Sequence, residues 1–289
     1  MLPNGAALWI ARRRAFQPLL ARLGSKTATF KVINEIRIEI PLQDQTGPGF
    51  YLNFGGPQAF YHYEEAEKLE IVRAMPREGV FLDIGANIGL FSTYVSKLLP
   101  QARCYAFEPS ALLAECIRRT CRLSPFPRIE VQELCLSDRE GTVDLHMHRK
   151  NSGGNSIIEG NIGTAEQGAA LSVKSLTMDT WVSQAQVPRV DVIKIDVQGA
   201  EMLVLRGGKK TIERYKPTLL IEIENPNLIP AGTEWRKLLQ EMFAESYSVR
   251  VAGAVSGFPI SEIGKIAAEE LGRGFGHTNY VFTRRDDRS

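Results

Sequence analysis

Val80-Phe81-Leu82-Asp83-Ile84-Gly85-Ala86-Asn87-Ile88-Gly89 sets the architecture of the chain. Residues 80–82 form a short apolar run suited to a buried strand, and from Ile88 onward the apolar positions Phe91, Val95 and Leu98 fall at helical spacing. Gly85 and Gly89 bracket the turn between them, so the segment predicts a strand, a glycine turn and a helix. Such a junction brings backbone N–H groups and the positive end of a helix dipole to the carboxyl edge of a parallel sheet. Its glycines let a ligand approach the main chain closely.

The details of the turn discriminate among nucleotide-like cofactors. A dinucleotide fingerprint, G-x-G-x-x-G, starting at Gly85 requires glycines where Asn87 and Leu90 stand, which argues against a bound pyrophosphate. The pattern present, Asp-x-Gly-x-Asn-x-Gly, carries a carboxylate at the strand end. A carboxylate repels a pyrophosphate but suits the α-amino group and sulfonium charge of S-adenosylmethionine. The next strand, residues 102–107, ends in Glu108-Pro109, which places an acid where it accepts both hydroxyls of a ribose. Asp83, Gly85, Ala86, Asn87, Gly89 and Glu108 are therefore the candidate cofactor residues.

A second stretch adds specificity. Residues 191–201, Asp-Val-Ile-Lys-Ile-Asp-Val-Gln-Gly-Ala-Glu, are followed by Val204-Leu205-x-Gly207-Gly208 and by residues 217–222, Pro-Thr-Leu-Leu-Ile-Glu. Together with residues 83–89, Phe107-Glu108-Pro109 and Leu136-Ser137-Asp138, this combination resembles the FkbM family of S-adenosylmethionine-dependent methyltransferases. The resemblance runs from about residue 64 to residue 284. It implies an α/β, class I methyltransferase-like doubly wound and mostly parallel seven-stranded sheet, and it gives Asp138 the role of meeting the adenine amino group. A solvated turn aspartate before Gly141 is the alternative for Asp138. Gln198 departs from the family pattern, in which many relatives carry Glu, so no carboxylate role is available at that position.

Composition bounds the partners. The chain has 289 residues, of which 44% are hydrophobic, and its 35 Lys and Arg nearly balance 33 Asp and Glu for a net charge of +2. There is no global basic field of the kind that nucleic acid selects, and a small-molecule or glycan acceptor is expected instead. No apolar run is long enough to span a membrane. The four cysteines, Cys104, Cys116, Cys121 and Cys135, form no C-x-x-C pair and read as reduced core residues, which points to a cytoplasmic location.

Residues 1–34 contain no acid and carry Arg12, Arg13, Arg14, Arg22, Lys26 and Lys31 among apolar positions. A basic helix packing on the domain is expected, with a targeting segment or weak peripheral membrane contact as the alternatives. Residues 30–60 predict strands, with turns at 47–49 and 55–57. The expected division is a β/α appendage over 1–63 and a catalytic domain over 64–289. Residues 64–75 predict a helix. The core then alternates strand 80–82, helix 88–99, strand 102–107, helix 110–123 and strand 129–136, which indicates a parallel sheet with crossover helices. The Gly/Ser/Asn-rich stretch 149–170 reads as a lid or acceptor-binding loop that is mobile without ligand. Residues 190–196 form the fourth core strand. Residues 235–243 predict an amphipathic helix, and 247–251 with 279–283 an antiparallel closing pair. The segment between that pair, 252–276, is a candidate addition to the acceptor pocket.

Methyl transfer from a sulfonium is an in-line displacement that needs the acceptor oxygen held on the methyl axis and relieved of its proton. Asp196, at the carboxyl end of the fourth strand, is the candidate base or acceptor anchor. Lys194, two residues earlier, shares its face, and Glu222 lies on the next strand. The expected arrangement pairs Lys194 with Glu222 as a buried salt bridge, and a catalytic Lys-Asp pair is the sharper reading. A divalent cation held by Asp196, Glu224 and Asn225 is a third arrangement, and no metal is assigned. His146 and His148 share one strand face and read as a solvated pair. Two other functions compete with the methyltransferase. A nicotinamide-dependent oxidoreductase lacks the second and third glycines, and a non-catalytic S-adenosylmethionine-binding protein predicts the loss of Asp83 or Glu108, both present.

Overall fold

The structure, a computed structural model, describes residues 26–31, 36–55, 58–124, 128–223, 239–240, 242–243, 246–263 and 278–285. The N-terminal part is a β-hairpin, β1 (Thr27–Lys31) and β2 (Arg37–Pro41), followed by α1 (Pro48–Gly55), α2 (Ala59–His62) and α3 (Glu65–Ala74). Then come β3 (Val80–Ile84), α4 (Leu90–Leu98), β4 (Arg103–Phe107), α5 (Ala111–Leu123), β5 (Ile129–Gln132), β6 (Cys135–Leu136), β7 (Gly141–His148) and β8 (Gln167–Leu176). The rest comprises α6 (Met178–Gln184), β9 (Val192–Ile195), α7 (Glu201–Gly207), α8 (Lys209–Tyr215), β10 (Thr218–Ile223), β11 (Tyr247–Val251) and β12 (Thr278–Arg284).

Seven strands form one sheet in the order β11-β12-β10-β9-β3-β4-β5. β12 runs antiparallel to both neighbours, and the other pairings are parallel. This is the mostly parallel, doubly wound class I methyltransferase arrangement that the sequence predicts. Alternation along the strands sorts side chains into two cores. Leu82, Ile84, Ile193, Ile195, Leu219 and Ile221 pack on the side of α6, α7 and α8, where Trp181 meets Tyr105 and Phe107 edge-on at 4.8 and 4.7 Å between ring centroids. Phe81, Val192 and Leu220 face the other way, against α4, α5 and the N-terminal elements. The chain reverses its direction of travel across the sheet between β3 and β9. At such a switch point the helices on either face diverge and leave a crevice at the carboxyl ends of the strands.

The N-terminal hairpin is fastened to α5 by polar pairs. Thr120 Oγ1 accepts from Glu39 N at 3.0 Å, and one helical turn on, Ser124 Oγ accepts from Arg37 N at 2.9 Å. The turn expected at 47–49 is instead the start of α1. Pro48 has the fixed φ that suits a first helical turn, and Asp44 Oδ2 accepts the Gly49 amide at 3.0 Å, which supplies the missing cap.

The expected third strand, 129–136, breaks in two. A tight turn in which Leu134 N donates to Gln132 O ends β5, and β6 leaves to pair with β8 in a separate sheet of order β6-β8-β7. The closing antiparallel pair forms as predicted, β11 with β12. Of the amphipathic segment 235–243, Leu239 and Phe243 are in the core, and Trp235 and Leu238 lie outside the described residues. In segment 252–276 the described part, 252–263, packs Ile260 and Ile263 into the core and does not line the cavity described below. Residues 1–25 and His277 also lie outside the described residues.

Candidate active site

A cavity of about 480 Å³ opens at the carboxyl ends of β3, β4, β9 and β10, where Ile84, Phe107, Asp196 and Glu222 line it. The glycine turn forms its floor. Gly85 has φ 78°, and a Cβ there would lie 1.8 Å from the backbone oxygen of Asp196, so this position admits no side chain. The close approach also lets Asp196 N donate to Ile84 O at 3.1 Å, which joins the two strand ends. The amides of Gly85 and Ala86 donate to Phe107 O, and the amide of Asn87 donates to Glu108 Oε2 at 2.9 Å.

Glu108 is 5% exposed. Its other oxygen accepts from Ser110 N at 2.9 Å, so each carboxylate oxygen holds one backbone amide and keeps a lone pair for the cavity, which Glu108 lines. Burial pushes its carboxyl up to about 8, against the lowering effect of the two amides. Beside it Phe107, Leu134, Leu136 and Leu145 make an apolar slot. Asp138, two residues past β6, is exposed and does not line the cavity. The neighbouring Ser137 packs closely under α7. A Cβ on Gly207 would lie 2.0 Å from Ser137 O, so two of the motifs that carry the family resemblance touch each other.

The opposite end is acidic. Asp196 Oδ2 accepts from Lys194 Nζ at 2.9 Å and Oδ1 from Gln198 Nε2 at 3.0 Å, while Glu222 Oε2 accepts from the same amide nitrogen at 2.7 Å. The sequence pairs Lys194 with Glu222, but the structure gives the ammonium to Asp196. Burial works against the Asp196 charge, yet the Lys194 ammonium and the hydrogen bonds from Lys194 and Gln198 prevail and hold its carboxyl at about 2. Burial likewise opposes the Lys194 charge, and Asp196, Asp83 and Glu64 together raise its pKa above the ordinary lysine value. The ammonium also sits 4.8 Å from the Phe91 ring centroid.

Asp83 is level with Lys194 across the β3–β9 ladder, on the inner face, and is fully buried. Its Oδ2 accepts from Ser92 N at 3.1 Å and Ser92 Oγ at 2.6 Å, while Oδ1 has no hydrogen-bond partner among the described residues. Asp83 therefore lies behind the cavity wall, as do Ala86, Gly89 and Lys194, while Gly85, Asn87, Glu108, Asp196 and Glu222 line it. Glu201 is a residue that sequence reasoning misses. Its carboxylate accepts from Val197 N and Gly199 N and closes the turn that carries Gln198. Glu224 and Asn225 lie outside the described residues, and among the described residues no group of three or more His, Cys, Asp or Glu forms a metal-holding cluster.

The structure adds residues from the N-terminal segment. Tyr51, Tyr63 and Glu64 line the acidic end, with the two tyrosine rings 5.1 Å apart. Glu64, Asn87 and Gln198 are non-glycine residues with φ of 48°, 53° and 51°, and all three line the cavity. Left-handed backbone at such residues is uncommon and concentrates where a site over-determines the chain.

The stretch 151–161 forms one wall and is anchored at two points. Ser152 N and Oγ donate to the two oxygens of Asp44 at 2.7 and 2.8 Å, and Ser156 Oγ and Asn161 Nδ2 both donate to Gln198 O at 2.6 Å. His148 Nδ1 accepts from the amides of Lys150 and Asn151, so this histidine shapes the loop. The glycine-rich composition suggests a free lid, whereas these bonds tie the segment to both the N-terminal part and the Gln198 turn.

Residues 83–248 match the model of the methyltransferase FkbM domain. The chain belongs to the FkbM methyltransferase domain family. Among curated relatives, the 2-O-methyltransferase NoeI of Sinorhizobium fredii is 32% identical over 150 residues, covering 47% of this chain and 60% of that protein. The methyltransferase sdnD of Sordaria araneosa is 28% identical over 179 residues, covering 53% and 69%. The hexuronic acid methyltransferase AglP of Haloferax volcanii is 24% identical over 148 residues, covering 50% and 57%. The chain thus spans about six-tenths of the length of NoeI and AglP. A solved FkbM methyltransferase from Methylobacillus flagellatus aligns over 95% of this chain and 60% of its own, with a TM-score of 0.49 and 14% identity.

Proposed function

We propose that this protein is an S-adenosylmethionine-dependent O-methyltransferase acting on a hydroxyl of a sugar, glycan or glycosylated metabolite. The observation that carries the reading is Glu108. It is a buried carboxylate at the end of β4, beside the glycine turn, with one amide on each oxygen and capacity left on each to accept a ribose hydroxyl. The rest of the cavity fits the same group: the slot of Phe107, Leu134 and Leu136 suits a purine, and the acids at the far end suit a sulfonium and an ammonium. When bound, S-adenosylmethionine supplies an electrophilic methyl. The protein's residues hold it and the acceptor in line and shield both from water.

In this reading Asp83 acts from behind the wall, tying α4 to β3 through Ser92 and balancing Lys194. Asp196, held near a pKa of about 2, is a poor proton acceptor and a good hydrogen-bond acceptor, so it anchors the acceptor hydroxyl with Glu222 while Lys194 fixes its orientation. The name of NoeI supports an oxygen acceptor and that of AglP a sugar acceptor, and the Tyr51–Tyr63 pair supplies an aromatic wall on which a sugar ring can lie. Asp196, Glu222 and Glu64 outnumber the buried cations Lys194 and Lys68 described at this end, which disfavours a polyanionic acceptor such as nucleic acid. Residues 64–289 form the methyltransferase domain in this reading, with 1–63 as an appendage that lends Tyr51 and Tyr63 to the site. The four cysteines are free, three buried and Cys121 half-buried, and no described helix is long and apolar enough to cross a membrane; a cytoplasmic enzyme is consistent with both. Titration calorimetry tests the cofactor: S-adenosylmethionine and S-adenosylhomocysteine should both bind and NAD should not. The reverse result would restore the oxidoreductase reading.

A further inference from the structure

We infer that Glu64 is the residue that takes the proton from the acceptor hydroxyl, an assignment that rests on the methyl-transfer reading above. Among the described residues three carboxylates line the acidic end of the cavity, and their surroundings give them different roles. Asp196 holds Lys194 on one oxygen and Gln198 on the other, and Glu222 takes a hydrogen bond from the same Gln198 amide. Glu64 instead stands beside Tyr63, and both line the cavity. Its left-handed backbone, φ 48°, sets it at the start of α3 with the side chain against the cavity. The charged and titratable groups around it are Tyr63, Glu67 and Lys68 on its own segment, Asp196 and Lys194 from β9, and Glu222 from β10 beside Tyr63.

Proton affinity follows from that environment. Burial and the Asp196 charge push the Glu64 carboxyl up to about 7, where a carboxylate is matched to proton transfer at neutral pH, whereas Asp196 at about 2 is not. In the transfer step the acceptor oxygen forms a C–O bond to the methyl carbon as the C–S bond breaks. The electron pair of that C–S bond stays on sulfur, which becomes a neutral thioether. The hydroxyl proton passes to the Glu64 carboxylate and from there to solvent. A sulfonium beside Glu64 keeps the carboxylate ionised before transfer. Loss of that charge raises its proton affinity as the product forms.

This placement has a readout that needs no acceptor. Proton exchange on binding is measured by calorimetry in buffers of different ionisation enthalpy, with S-adenosylmethionine and S-adenosylhomocysteine as the probes. Glu108 faces the ribose common to both, so its contribution cancels in the difference between them. At pH 7, where Glu64 is about half protonated, the sulfonium form should expel about half a proton more than the thioether. That excess should disappear in Glu64→Gln. In the wild-type protein alone it should shrink as pH rises from about 7 to about 9, which keeps the test decisive if Glu64→Gln does not fold. Equal release by the two ligands would place Glu64 against a part they share, and an excess that survives in Glu64→Gln would assign it to another group. Either result overturns the assignment. Failure of both ligands to bind would instead sink the cofactor reading on which it rests.

Discussion

The two ends of the cavity bury carboxylates by different means. Glu108 is held by two backbone amides with no cation in contact among the described residues, whereas Asp196 is held by the Lys194 ammonium and the Gln198 amide. Glu108 is 5% exposed and the Asp196 side chain 25%, and the first is pushed up to about 8 while the second is held at about 2. Fixed dipoles offset part of the desolvation of an anion, and a paired cation offsets more. The Glu108 end can therefore change protonation as a ligand arrives, and the Asp196 end keeps its charge. A ribose needs only an acceptor of two hydrogen bonds, while an acceptor hydroxyl must be oriented by a charge that stays put.

The largest expected effect comes from removing the cation that makes the two ends differ. Lys194→Met leaves Asp196 and the fully buried Asp83 without their shared counter-charge, and should cost about 3–5 kcal/mol in denaturant unfolding. A loss under about 1 kcal/mol would mean that the pair contributes little to the fold. At the other end no ion pair is broken by Glu108→Ala, so the effect should appear in binding. Affinity for S-adenosylhomocysteine should fall by roughly 1.5–3 kcal/mol, the range for hydrogen bonds to a charged group. Unchanged affinity by calorimetry would remove Glu108 from the site.

The pH dependence should separate the ends in the same way. Below its pKa Glu108 must shed a proton before both oxygens can accept ribose hydroxyls. Affinity for S-adenosylhomocysteine should therefore rise between about pH 6.5 and about pH 8.5, by up to about tenfold per unit, and the rise should flatten in Glu108→Gln. Stability of the free protein runs the other way. With its pKa raised from 4.5 to about 8, Glu108 contributes stability that is full below 4.5 and lost as pH climbs through 8. Asp196, lowered from 3.8 to about 2, contributes above 3.8 and loses its share as pH falls through 2. A smaller effect, about 1 kcal/mol, is expected from Ser152→Ala, which removes the hydroxyl that reaches Asp44 at 2.8 Å and Asn87 at 3.3 Å. Faster hydrogen exchange confined to 151–156 would confirm the anchor, and unchanged exchange would argue against it.

Much of this fold is legible in the sequence because apolar periodicity and glycine turns are local signals. Residues 80–98 and 191–201 declare a strand, a turn and their place in a parallel sheet. Side-chain roles are harder to read wherever direction matters. Asp83 stands at a strand end like Glu108, but it lies inside β3 on the Phe81 face, so alternation turns it into the core toward Ser92. Asp138 is carried outward because the chain breaks at Leu134 and β6 joins another sheet, and nothing in residues 129–136 marks the break before the pairing is known. Glu64 and the two tyrosines come from ahead of the first core strand and reach the site only through tertiary packing. A helix-starting acid in a left-handed conformation has no distinct sequence signal. Glu201 does have one: an acid two residues after Gly199 at a helix start is placed to cap its own turn.

The central claim is that one elongated ligand spans both ends of this cavity, with its ribose on Glu108 and its reacting centre among Asp196, Glu222 and Glu64. A crystal structure with S-adenosylhomocysteine tests it most directly. The account predicts both ribose hydroxyls within hydrogen-bond distance of the Glu108 oxygens, the purine between Phe107 and Leu136, and the sulfur directed toward the Asp196 end. A ribose away from Glu108, or a sulfur directed away from the three acids, would contradict it.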